Sequence, residues 1–207
     1  MDTIVYVDGF NLYYGAVKNT PYKWLNIPAM CRALLPRHHI VRVKYYTAKV
    51  SARPEDPHQP TRQQTYLRAL LTEPCVEIIL GQFLTSQRMM RLVEPLPDGT
   101  KSVLVVKTEE KGSDVNIATH MVHDGHLGRY EAAVVLSNDS DLVEPVRIVR
   151  SELGKVVGML NPHRRPNREL MRQSTFVKNI RESVLRSCQF PETLSDGDGE
   201  FRKPDSW

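Results

Sequence analysis

Cysteine is scarce in this chain, and the three present cannot build a zinc site. Cys31, Cys75 and Cys188 lie far apart, with no Cys-x-x-Cys pair and no histidine at zinc spacing. Free cysteines among apolar neighbours behave as small hydrophobes, so inert burial is the expectation. No apolar run approaches the roughly 20 residues that span a bilayer. No basic and apolar leader precedes the first strand-like run, Thr3–Val7, so a cytoplasmic protein is expected. No Gly-x-Gly-x-x-Gly follows that run, so the usual dinucleotide fingerprint is missing. His120, His123 and His126 cluster locally, but no two-histidine, one-carboxylate set for iron stands out.

What is present suits one folded domain. The 207 residues are 41% hydrophobic and 25% charged, which excludes wholesale disorder. The net charge of +4 permits a polyanionic partner without requiring one. Its distribution says more: Pro162-His163-Arg164-Arg165-Pro166-Asn167-Arg168 is basic, with Arg172, Lys178, Arg181 and Arg186 following. Such a run is either a solvated face or a phosphate-contacting surface, with Arg164, Arg165 and Arg168 the candidate contacts.

Short β-branched runs alternate with helical patterns. Thr3–Val7, His39–Tyr46, Val76–Leu80, Glu131–Leu136 and Lys155–Leu160 read as strands, and near-continuous apolar runs suit a parallel sheet covered on both faces. Thr61 and Gln64 suggest a capping box, Ser113 a second helix cap and Asp141 a third, with Gly154 closing the last helix. Residues 83–107 read as an inserted hairpin turning at Pro97-Asp98-Gly99, and 51–60 as an exposed loop. The predicted fold is a three-layer α/β domain over 1–190, followed by a disordered tail over 191–207.

Ligands of open α/β sheets bind beyond the carboxyl ends of the strands. Strand one runs into Asp8-Gly9-Phe10-Asn11, and strand four into Ser137-Asn138-Asp139-Ser140-Asp141. Glu109-Glu110-Lys111-Gly112-Ser113-Asp114 opens the helix between them in sequence. Two carboxylates about 4 Å apart repel by roughly 4 kcal/mol at an effective dielectric of 20, so a shared cleft needs protons or a cation. An all-oxygen donor set from Asp8, Asp114, Asp139 and Asp141 selects Mg²⁺ or Mn²⁺. Each acid also has a plainer reading: Asp141 as a cap, Asp8 as a turn residue, Asn11 as a local backbone partner. Lys111 is either a phosphate contact, a counter-charge or a solvated lysine.

Three segments carry a resemblance: Tyr6-Val7-Asp8-Gly9-Phe10-Asn11-Leu12-Tyr13, Lys111-Gly112-Ser113-Asp114-Val115 and Ser137-Asn138-Asp139-Ser140-Asp141-Leu142. In this order they resemble the LabA-like NYN-domain proteins of the PIN-like nuclease superfamily. The resemblance implies a PIN-like sheet and metal-dependent phosphodiester cleavage, usually of RNA. It implies Asp8, Asp114 and Asp139 as metal ligands, with Asn11 and Asp141 supporting the ion or its water. Many relatives carry an Ala-Asp pair where this chain has Arg172-Gln173-Ser174-Thr175.

Tyr22-Lys23-Trp24-Leu25, residues 62–70 and Leu160-Asn161-Pro162-His163 are similar to a bacterial subgroup of the same family that includes an NADH-dependent pyridine monooxygenase of nicotine degradation. Three functions are therefore compatible with the sequence. The first is a Mg²⁺- or Mn²⁺-dependent ribonuclease with RNA as partner. The second is a hydroxylase using NADH, with flavin or iron, on a small pyridine substrate. The third is a non-catalytic RNA-binding module. Each leaves room for a homo-oligomer.

Overall fold

A computed structural model describes all residues from Met1 to Trp207. Its centre is a seven-stranded sheet of β1 (Asp2–Asp8), β2 (His39–Ala48), β3 (Val76–Arg91), β4 (Ser102–Lys111), β5 (Ala132–Leu136), β6 (Val156–Asn161) and β7 (Phe176–Asn179). The spatial order is β4-β3-β2-β1-β5-β6-β7. Every pairing is parallel except β3 with β4. The chain builds outward from β1 to one side, then returns to β1's other edge with β5. That reversal makes β1/β5 the switch point, where a crevice opens beyond the strand ends.

Side-chain alternation along β1 divides the interior into two layers. Val5 and Val7 pack with Trp24, Ile27, Met30 and Leu70 on one face. Ile4 and Tyr6 pack with Ile117, Met121, Val146 and Val149 on the other. The first layer is covered by α1 (Gly9–Leu12), α2 (Ile27–Leu34) and α3 (Gln59–Leu71). The second is covered by α4 (Ser113–His126), α5 (Val143–Ser151) and α6 (Arg168–Gln173). A last short helix, α7 (Glu182–Ser187), returns to α2 through buried Leu185. The three-layer α/β expectation holds, with a mainly parallel sheet.

Several local expectations are corrected. The hairpin expected over 83–107 is present, and its first arm is continuous with a sheet strand: β3 runs on past its parallel partner and pairs with β4 from Gln82/Lys111 to Arg91/Ser102. Its turn does use Gly99, at φ +84°. Helix α3 starts at Gln59, before Thr61, because Pro60 fits the first turn and no side chain caps it. Gly112, at φ +103°, takes the cap position expected of Ser113. Asp139, not Asp141, caps the turn before α5: its carboxylate accepts the Asp141 N–H at 2.9 Å. Helix α2, capped by Asn26, and strand β7 went unanticipated.

The segment from Pro191 is a hairpin rather than a disordered tail. Strands β8 (Thr193–Asp196) and β9 (Gly199–Arg202) pair antiparallel. Arg68 grips Asp196 with two N–H groups at 2.6 and 2.7 Å and lies 4.2 Å from the Phe201 ring. Phe201 is buried, and Trp207 packs against Tyr66 and Trp24. Two aromatic anchors outweigh the polar composition around them. All three cysteines are free, Cys31 and Cys188 buried, and burial pushes the Cys31 thiol up to about 12. No helix is long and apolar enough to cross a membrane.

Candidate metal centre

Asp8 ends β1 and caps α1. One carboxylate oxygen accepts the Asn11 N–H at 2.8 Å, and the other accepts the Ser137 hydroxyl at 3.0 Å. Only 5% of the residue is exposed. Burial raises its pKa, Asn11 and Ser137 pull it back, and Asp139 adds a repulsive contribution. Ser137 links the two strand ends, since its hydroxyl oxygen also accepts the Asp139 N–H at 3.1 Å.

Asp114 reaches the same edge from the first turn of α4. Its carboxyl is pushed up to about 6, first by burial and then by Asp8, Asp139, Glu110 and Asp141. Glu110 is fixed beneath it, accepting the Ser113 hydroxyl at 2.9 Å and the Ser113 N–H at 3.3 Å. Gly81 makes room: a Cβ there would stand 2.4 Å from the Glu110 carboxylate and 2.7 Å from the Lys111 carbonyl. Glu109 instead turns to Lys107 and Lys111.

Asp8, Glu110, Asp114, Asp139 and Asp141 form no ion pair with any Lys, Arg or His. No basic side chain therefore offsets their charge by direct contact, although hydrogen bonds from Asn11 and Ser137 ease that of Asp8. This donor chemistry fits a hard divalent ion. In the side-chain positions seen, however, no three acidic, histidine or cysteine groups converge closely enough to hold one. Binding would require a carboxylate of the cluster to turn inward.

Asn11 is the structural hub. Its Oδ1 accepts the Asn138 backbone N–H at 3.0 Å and lies 3.0 Å from His163 Nε2. Asn161, at the end of β6, holds His163 by two backbone contacts at 2.7 and 3.1 Å. Asn138 then binds the loop after β6, donating to the Arg165 carbonyl and accepting the Asn167 N–H. Strand-end reasoning named the ends of β1 and β5 but not that of β6, so Asn161 and His163 were missed as site residues. The sequence Asn161-Pro162-His163 directly after an apolar run was the available signal.

These contacts bring the 162–168 loop to the acidic edge. Arg164, Arg165 and Arg168 are exposed on it. Lys111 is exposed at the end of β4, with its ammonium 3.7 Å from Glu109. Of the other basic residues of the expected surface, Arg172 pairs with Glu169, Arg186 with Glu182 and Lys178 donates to the Leu34 carbonyl, while Arg181 is exposed. Arg172-Gln173-Ser174-Thr175 leads into β7, which runs parallel to β6. That segment therefore lies towards the amino ends of the parallel strands, whereas the acidic cluster lies beyond their carboxyl ends. His120 bonds the Tyr46 hydroxyl at 2.9 Å.

The NYN domain family matches residues 2–180. The chain belongs to this family. Among curated relatives, this NYN protein is 30% identical over 235 residues to 6-hydroxy-3-succinoylpyridine 3-monooxygenase HspA of Pseudomonas putida, covering 99% of this chain and 75% of that protein. Among solved structures, it is similar to VPA0982 of Vibrio parahaemolyticus, a protein of unknown function, at a TM-score of 0.56 and 16% identity. That likeness covers 87% of this chain and 93% of the other, and speaks for the fold alone. The NYN domain is consistent with the PIN-like nuclease architecture expected from the motifs.

Proposed function

We propose that this NYN protein is a divalent-metal-dependent ribonuclease that hydrolyses phosphodiester bonds of single-stranded RNA. The reading rests on one observation: Asp114 is raised by burial and by Asp8, Asp139, Glu110 and Asp141, none of them ion-paired, beyond the strand ends of a sheet belonging to a nuclease-type family. Asp8, Asp114 and Asp139 would hold Mg²⁺ or Mn²⁺, with Asp141 beside them. A bound ion of this kind lowers the pKa of water and offsets charge growing on phosphate oxygens. Asn11 fixes the two strand ends relative to each other, and Ser137 orients the Asp8 carboxylate. Arg164, Arg165 and Arg168 would hold the RNA backbone, with Lys111 at the rim. Asp139→Asn and Asp8→Asn should each abolish Mn²⁺-dependent cleavage of a single-stranded RNA while circular dichroism stays unchanged. Full cleavage by both variants would overturn the proposal.

A second reading, an NADH-dependent hydroxylase, draws on the 99% coverage by HspA. The start of α1 argues against a bound dinucleotide there. Dinucleotide folds seat pyrophosphate at that helix end, and here the Asp8 carboxylate occupies it. Substrate-dependent NADH oxidation by pure protein with bound flavin or iron would establish this reading; its absence, with RNA cleavage present, would dismiss it. If RNA binds and stays intact in Mn²⁺, the non-catalytic binding module is the remaining function.

A further inference from the structure

A second feature adjoins the acidic edge and is not absorbed by the nuclease reading. Between the turn Tyr13–Val17, strand β2 and helix α3 lies a cavity of about 120 Å³. Its walls are aromatic: Tyr13, Tyr45, Tyr66 and Trp207 all line it. The Tyr45 and Tyr66 rings stand nearly perpendicular, 84° apart with centroids at 6.4 Å, and Trp207 meets Tyr66 edge-on at 5.7 Å. Gly9, next to Asp8 in the chain, and Tyr45 also line this cavity. A Cβ on Gly9 would stand 2.7 Å from both the Tyr45 hydroxyl and the Tyr46 carbonyl, so glycine is what lets the Tyr45 ring lie there.

The polar groups of the cavity favour an anion. Arg62 and Lys23 line it against one carboxylate, Asp56. Arg62 spends a single N–H on Asp56 and keeps its other donors free, with 20% of its side chain exposed. Lys23 lines the cavity without an ion pair. Size narrows the ligand further. Drug-sized ligands fill about 300–1,000 Å³, so this space of about 120 Å³ takes a ring-sized group and leaves any larger remainder of the ligand, such as a ribose, outside it. Aromatic walls favour edge-on or offset contact with a planar ring, while a guanidinium with spare donors pairs with carboxylate or phosphate.

We infer that this cavity is a binding subsite for a single planar heteroaromatic ring carrying an anionic arm. The ring lies among Tyr13, Tyr45 and Tyr66, and the arm meets Arg62 and Lys23. Two sources share this chemistry: a pyrimidine nucleotide unit of a nucleic acid, and a free pyridine-type carboxylic acid. The inference stands on the cavity and does not need the acidic cluster to be catalytic.

Calorimetric titration of the whole metal-free protein tests it, with uridine 5′-monophosphate, uridine, adenosine 5′-monophosphate and pyridine-3-carboxylate as probes. One site per chain is expected for uridine monophosphate or pyridine-3-carboxylate. If uridine monophosphate is the ligand, uridine, which lacks the anion, binds more weakly, and adenosine monophosphate reports whether the cavity discriminates by ring size. Val50→Trp, which fills the cavity from its loop side, should weaken binding at least tenfold, and Arg62→Met should weaken the anionic ligand selectively. Binding of the nucleotide alone assigns the site to nucleic acid; binding of the pyridine acid alone assigns it to a small substrate. Should Val50→Trp fail to fold, Arg62→Met and Lys23→Met carry the test. No saturable binding of either ring into the millimolar range, or binding unchanged in the folded variants, overturns the inference. Because these titrations use no metal and read no cleavage, loss of the nuclease proposal would leave their result standing.

Discussion

Asn11 and His163 are 152 positions apart, yet Asn11 Oδ1 and His163 Nε2 lie 3.0 Å from each other beside the acidic edge. The same oxygen accepts the Asn138 N–H, which identifies it as oxygen rather than amide nitrogen. His163 Nε2 therefore carries a proton and donates it. Gly15 permits this approach, because a Cβ there would stand 2.8 Å from His163 Nε2. Three strand ends, those of β1, β5 and β6, are thereby tied through one side chain.

The two partners of this contact should differ in cost. Asn11→Ala leaves the part-buried Asn138 N–H without its acceptor, a loss of about 1–3 kcal/mol. His163→Ala removes only one of two donors to that oxygen, worth about 0.5–1.5 kcal/mol. Urea denaturation should rank Asn11→Ala as the more destabilised variant, with cleavage reduced in both. An equal or larger loss for His163→Ala would mean that Asn11 is not the hub.

The exposed arginines make a prediction about salt. Arg164 and Arg165 sit on the loop after β6, and Arg168 opens α6, where Asn138 holds the chain against the acidic edge. If each contacts one phosphate, replacing it with Ser removes about 0.7 from the slope of log affinity against log salt for single-stranded RNA. The triple variant should therefore bind with a distinctly shallower salt dependence, while its thermal stability stays close to that of the parent. An unchanged slope would place the RNA backbone elsewhere.

The strand ends were legible in the sequence because chemistry and topology coincide there. Apolar runs placed β1 and β5, and the polar residues that follow them fall at the switch point as strand-end reasoning expects. What stayed hidden depends on contacts distant in sequence. Asn138 looks like one more polar loop residue until its backbone meets Asn11. Asp139 and Asp141 are equally plausible caps on paper, and only backbone direction assigns the role to Asp139. Strand β7 is four residues, Phe176–Asn179, too short to show a period. The hairpin from Thr193 to Arg202 is polar apart from Leu194 and Phe201, so composition concealed the burial of those residues in the first layer.

That hairpin should contribute measurably to stability. Phe201 packs under Arg68 and in the layer that holds Trp24 and Leu70. Removing a buried phenyl ring costs about 3–5 kcal/mol. Phe201→Ala should lower the midpoint of denaturant unfolding accordingly, whereas Glu200→Ala, at an exposed position of the same strand, should leave it nearly unchanged. Equal behaviour of the two variants would mean that the segment is not docked.

The acidic cluster makes the sharpest prediction, because its charge repulsion has a direction in pH. Asp114 has its carboxyl pushed up to about 6, first by burial and then by its acidic neighbours. Such a group binds its proton more tightly folded than unfolded. Below an ordinary aspartate value near 4 it is protonated in both states and costs nothing. As pH rises towards 6 the unfolded chain ionises first, so the folded state loses stability across that window and does not regain it above. Metal-free Asp114→Asn should therefore match the parent near pH 4 and be the more stable protein above pH 6. Millimolar Mn²⁺ should reverse the order at pH 7, since a cation binding only the folded state raises the melting temperature of the parent by mass action. Thermal melts at both pH values, with and without Mn²⁺, check each step. A parent that is already the more stable protein at pH 7 without metal would show that the carboxylates are balanced from within the fold, and the case for a cation at Asp8, Asp114 and Asp139 would fall.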